Sequence, residues 1–207
     1  MINIQALRNE GVPQSRIVKF LISRPSTLII STVKFKDIVH EVKGMGFDHY
    51  KNTFLIAIIA ITAMTKSTWE SKLNAYRKWG WSEDEILNAF KIHPACMTFS
   101  EKKISTTTDY LVNQMGVSSL LIAKCPVILS YSLEKRIIPR ISVHRILTDK
   151  GLMKDKISLY TILQMGRESF LDKFIIKFEQ QAPELLKVLR FMSPSGQRTL
   201  MRICWLM

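Results

Sequence analysis

Apolar and polar positions along this chain alternate at helical rather than strand spacing, and the stretch 80–115 shows the unit most plainly. Ile86, Leu87 and Phe90 fall on one face of a predicted helix that opens at Ser82 and stops near His93. Ser82 can accept an N–H of the first turn, and Glu85 three residues on completes a capping box. Glu83, Asp84 and Glu85 also suit the positive end of the helix dipole. Pro94 lacks a backbone donor and disfavours helix in the residue before it. A second helix is predicted from Ser100 to about Met115, with Ile104, Tyr110 and Leu111 on its buried side.

The same order of features recurs. Gly11, Gly46, Gly80, Gly116 and Gly151 stand at intervals of 35, 34, 36 and 35 residues. A period of this size marks a stacked helical repeat, which works through an extended surface more often than through a pocket. The first unit predicts a helix from Arg16 to Ser23, a break at Arg24-Pro25 and a helix from Ser31 to Lys43. The fourth predicts a helix ending at Lys124, a break at Cys125-Pro126 and a longer helix from Ser132 toward Lys150. The second unit lacks the proline. Its run Phe54 to Met64 predicts a helix buried on all sides, too short for the roughly 20 residues of a membrane span. The fifth also lacks the proline and is broken into two helices at Gly166-Arg167. Together these predict an all-α chain, one array over 1–190, followed by an irregular tail over 191–207.

Charge changes the picture next. The 207 residues carry a formal net charge of +13, and the excess is distributed along the units apart from an acidic break at 80–115. Distributed positive charge suits a long polyanion whose phosphates recur along an axis. Cys96, Cys125 and Cys204 are isolated, with neither metal nor disulfide spacing. They fit a reducing compartment, with burial the expected role of the first two. His40, His49, His93 and His144 form no zinc motif, and there is no Walker loop, dinucleotide loop or nucleophile elbow. No enzyme, metal or cofactor is therefore expected. The first twenty residues match neither a secretory signal nor a transit peptide, so a processed or shortened chain is expected.

At Gly80-Trp81-Ser82-Glu83-Asp84-Glu85-Ile86 with His93-Pro94, the chain resembles the mitochondrial transcription termination factor (mTERF) family, especially its large plant branch. Gly116-Val117-Ser118, Lys124-Cys125-Pro126-Val127-Ile128-Leu129 and Ser132 to Arg140 carry the same likeness, which runs from about residue 5 to 190. The resemblance implies a right-handed α-solenoid of about five mTERF-type repeats, each with a short third helix in its proline turn. It further implies an organelle protein, in mitochondrion or chloroplast, that binds double-stranded DNA and regulates or terminates transcription; a monomer is expected. Organelle RNA processing, including splicing, or ribosome assembly is the alternative within the family, and a protein-binding scaffold the alternative outside it. No membrane or small-molecule substrate is expected.

Candidate phosphate contacts follow from helical spacing. Arg136, Arg140 and His144 fall at i, i+4 and i+8, beside an apolar stripe of Leu133, Ile137 and Ile141. One face could pack while the other presents cations roughly 5–6 Å apart. Lys135 joins this group. Lys102 and Lys103 occupy the aligned helix of the third unit, and Lys34 and Lys36 that of the first. Arg16, Lys19 and Arg24 form a second group on a first helix. Base-specific readers are not legible, and Trp69, Trp79 and Trp81 are expected to pack between repeats rather than stack on bases.

Overall fold

The computed structural model describes residues 2–153 and 157–192, and among them every regular element is helical. The chain forms two compact units, 1–130 and 131–207. The tail expected over 191–207 lies, from residue 193 on, outside the described residues, as does Cys204; residues 191 and 192 end a helix.

The first unit contains α1 (Ile2–Asn9), α2 (Gln14–Ser23), α3 (Thr32–Gly44), α4 (Asn52–Thr62), α5 (Lys66–Arg77), α6 (Glu83–Ile92), α7 (Glu101–Asp109) and α8 (Ser119–Lys124). Short 3₁₀ turns at Pro25–Leu28, Pro94–Thr98 and Pro126–Ser130 follow the three X-Pro breaks. They are the third helices that the resemblance implies. Each proline stands at the start of its turn, where a missing N–H costs nothing. The side chains of Ser31, Thr65, Ser82 and Ser100 accept a first-turn N–H of α3, α5, α6 and α7. At Ser82 the capping box is complete.

All five periodic glycines take positive φ, between 65° and 84°. They close helices rather than open them. Val12, Phe47 and Leu152 donate N–H to the carbonyls of Leu7, Val42 and Leu147, the reach-back bond of a left-handed helix cap. After Gly116 the bond runs from Val117 to Leu111, one residue further, because a π turn over Tyr110–Gln114 ends α7. α1, which the sequence pattern did not suggest, is held by Asn3, whose side-chain amide donates to the carbonyls of Leu28 and Ile30.

Phe35, Phe54, Ile58, Phe90, Met97, Ile104 and Leu111 form the centre of the first unit. α4 packs against α3 and the Pro94–Thr98 turn, yet it is not enclosed on all sides: Ile56 is exposed and Ile59 and Ile61 are half-buried. Two of the three tryptophans expected to pack between repeats, Trp69 and Trp81, pack against other rings. Trp81 stacks on Tyr76 with ring centroids 4.7 Å apart and donates its N–H to Ser119 Oγ at 2.7 Å. Trp69 meets Phe90 edge-on. Tyr76 donates to the Cys96 carbonyl at 2.8 Å, and burial pushes the Cys96 thiol up to about 12, so it is an inert core residue.

The second unit contains a π turn (Leu133–Ile137) running into α9 (Ile138–Asp149), then α10 (Leu159–Gln164), α11 (Arg167–Phe174), a 3₁₀ turn (Ile176–Phe178) and α12 (Leu185–Met192). Its core gathers Val143, Leu147, Ile162, Phe170, Phe174, Ile175, Leu185 and Leu189.

Candidate nucleic-acid interface

The eleven candidate positions separate by burial and by what each cation already touches. In the first unit Lys19 (within α2), Arg24 (its C-cap), Lys34 and Lys36 (α3) and Lys102 (α7) are exposed. None is joined to a carboxylate, whereas Lys43, Lys51 and Arg77 are paired with Glu10, Asp48, and Glu70 plus Glu83. Arg16 is half-buried, with one guanidinium nitrogen enclosed and without a hydrogen-bond partner.

The placement of the lysines runs against helix electrostatics. Acidic side chains are favoured in a first turn, where the backbone N–H groups and the dipole are positive. α6 follows that rule with Glu83, Asp84 and Glu85. α3 does the opposite: no acid lies in its first turn, and Lys34 stands three residues after the Ser31 cap. α7 places Lys102 and Lys103 there beside one acid, Glu101. A helix start that collects cations in this way is relieved by an external anion.

Lys103 is already engaged. It is half-buried, its ammonium lies 4.6 Å from the Phe99 ring centroid, and it donates to the Ser130 carbonyl at 3.0 Å. It thus fastens α7 to the end of the next proline turn.

In the second unit Arg136 and Arg140 do meet, at the same carbonyls, but there they turn inward. Arg136 lies over the Tyr131 ring at 3.9 Å and donates to the carbonyls of Leu163, Gln164 and Met165 at 3.0–3.1 Å. Arg140 is 2% exposed, lies over Phe170 at 4.5 Å, and donates to Ile162, Leu163 and Met165 at 2.6–3.2 Å. These carbonyls are the unpaired end of α10, so the two arginines cap it and neutralise its negative pole. Burial, and then the neighbouring Arg136, bring the Arg140 pKa down to about 10, which leaves it charged at neutral pH. Arg140 is therefore withdrawn as a phosphate contact, and Arg136 and Lys103 are committed to carbonyls. The expectation failed because α9 packs against both α10 and α12, and its exposed side carries Arg145 instead, which helical phase alone could not foresee. His144 is half-buried; Lys135 is exposed and in no ion pair.

Lys66 was missed. It is exposed, unpaired and directly follows the Thr65 cap of α5. Its signal was the capping pattern of Thr65, obscured because the second unit has no proline to mark the break. Among the described residues, no three His, Cys, Asp or Glu side chains come together as metal ligands, and no helix is long and apolar enough to cross a membrane.

Periodic glycine caps and proline 3₁₀ turns between helices are the marks of a helical-repeat protein. The mTERF family model matches residues 1–171, and the chain belongs to that family. No curated protein and no solved structure matches it. Membership points to a nucleic-acid-binding regulator of organelle transcription.

Proposed function

We propose that the protein binds double-stranded DNA in a mitochondrion or chloroplast, as a monomer and without catalysis, and regulates or terminates transcription there. The array would be a right-handed solenoid of about five repeats. The observation that supports this reading most is the group of exposed cations without acidic partners on α2 and α3: Lys19, Arg24, Lys34 and Lys36. Lys102 in the first unit and Lys135 in the second extend the set of available contacts. Side chains of this kind bind phosphate and set register; they carry no base specificity of their own.

The test is equilibrium binding of the full chain to a labelled DNA duplex and to single-stranded RNA of matched sequence, each across a salt series. Duplex binding that weakens steeply with salt is expected, since each neutralised phosphate releases counterions. Preference for RNA would replace the transcription role with organelle RNA processing. Absence of binding to either at low salt would overturn the nucleic-acid reading in favour of a protein-binding scaffold.

A further inference from the structure

The second unit contains a recess that the nucleic-acid reading does not use. It has a volume of about 590 Å³ and is lined by Leu152, Met153, Ile157, Phe174 and Phe178, with Lys173 and Lys177 among the same walls. That volume lies within the roughly 300–1,000 Å³ of ligand pockets, which pair mostly apolar walls with a few placed polar groups. Leu152 and Met153 follow the Gly151 cap of α9, and the opposite wall is the end of α11 and the 3₁₀ turn after it. The glycine cap thus turns two apolar side chains back over the edge of the core, where they and Ile157 stay half-buried.

Among the described lining residues the charge has one sign. Lys173 and Lys177 are exposed, four residues apart, and in no ion pair. The Lys177 ammonium lies 5.3 Å from the Phe178 ring centroid, which keeps its chain along the apolar wall. No carboxylate belongs to the described lining. An apolar hollow with two unneutralised ammonium groups is complementary to a molecule with a hydrocarbon body and one anionic head. A neutral hydrocarbon would leave the lysines without a partner, and an amphiphilic cation would be repelled by them.

We infer that this recess binds a long-chain carboxylate, with the chain against Leu152, Met153, Ile157, Phe174 and Phe178 and the carboxylate between Lys173 and Lys177. The site is independent of the cations on α2 and α3, so it stands or falls apart from the nucleic-acid reading.

The test is calorimetric titration of the full chain with laurate below its micelle concentration, with dodecyltrimethylammonium and dodecanol as head-group controls. Saturable one-to-one laurate binding is expected, at least tenfold weaker for dodecanol and undetectable for the cation. Lys173→Glu combined with Lys177→Glu should weaken laurate at least tenfold while leaving the thermal transition in place, because both side chains are exposed. Ile157→Trp, which fills the hollow, should weaken laurate and dodecanol alike. Equal binding of laurate and the amphiphilic cation, laurate binding that survives the double glutamate variant, or no saturable laurate binding would each overturn the inference. Binding of an acidic amphipathic peptide with none of laurate would do the same and assign the recess to a protein segment.

Discussion

The start of α3 and the π turn leading into α9 look alike in sequence, a serine cap followed by a cation, yet they use that cation in opposite ways. After Ser31, Lys34 is exposed and touches no carboxylate. After Ser132, Arg136 lies over Tyr131 and closes the end of α10. The Ser100 cap of α7 sides with the second case, since Lys103 lies over Phe99 and bonds Ser130. The difference is the residue before the cap: aromatic at Phe99 and Tyr131, aliphatic at Ile30. The spacing from ring to cation also fits the backbone. It is four residues at Lys103, in an α turn, and five at Arg136, where the π turn has N–H bonds from both Arg136 and Ile137 to Ser132. A ring one residue ahead of the cap thus accompanies a cation held at a carbonyl, and without it the cation is left to solvent.

The largest expected effect is at the inward-facing site. Arg140→Ala leaves the Ile162 carbonyl without its side-chain donor in a buried place and leaves Leu163 and Met165 with Arg136 alone. Hydrogen bonds to a charged group contribute about 1.5–3 kcal/mol each, and these three share one guanidinium. A loss of about 3–4 kcal/mol of unfolding free energy is expected by urea denaturation. Arg140→Lys should recover little of it, since a single ammonium cannot reproduce the planar fork over Phe170. An intact urea midpoint together with a shallower salt dependence of DNA binding would reverse the comparison and return Arg140 to the interface.

Much of the fold was legible because its signals are local. Ser82 and Ser100 cap the helices they were expected to cap, Ser31 and Ser132 cap the helical turns they were expected to open, and His93 ends α6 one residue before its proline. These positions are fixed by which backbone groups lack partners, and a sequence displays that directly. The interface was less legible because exposure is a tertiary property. Helical phase put Arg136 and Arg140 close enough to share the same carbonyls, but it could not tell that those carbonyls would be the end of α10. α1 went unseen for a similar reason: its anchor is Asn3 bonding carbonyls 25 and 27 residues away, which no local pattern encodes.

The next effect bears on the solvent-facing side. Lys34→Glu with Lys36→Glu should leave stability within about 0.5 kcal/mol, as both side chains are exposed. Duplex affinity should fall about tenfold or more, and the log–log salt slope should become shallower by about 1.8, the contribution of two phosphates on duplex DNA. The same pair of measurements on Arg140→Ala gives the opposite signature, stability lost and slope retained. Unchanged affinity and slope in the double lysine variant would remove α3 from the interface.

The smallest effect is the sharpest test of why the two regions differ. If the ring before the cap is what captures the cation, Phe99 and Lys103 must be energetically coupled. Phe99→Leu alone would mix lost packing with the lost cation–ring contact, because Phe99 is half-buried and also faces His93. A double-mutant cycle with Lys103→Met cancels the packing component and isolates the pair. A coupling of about 0.5–1 kcal/mol is expected for a contact at a partly exposed site. The corresponding cycle between Ile30→Leu and Lys34→Met should give a coupling near zero, since an aliphatic side chain has no π face to offer Lys34. Zero coupling at Phe99–Lys103 would mean that the Ser130 carbonyl alone holds the lysine. The aromatic before the cap would then be a bystander, and the division between inward and outward cations would rest on the position of the next helix end alone.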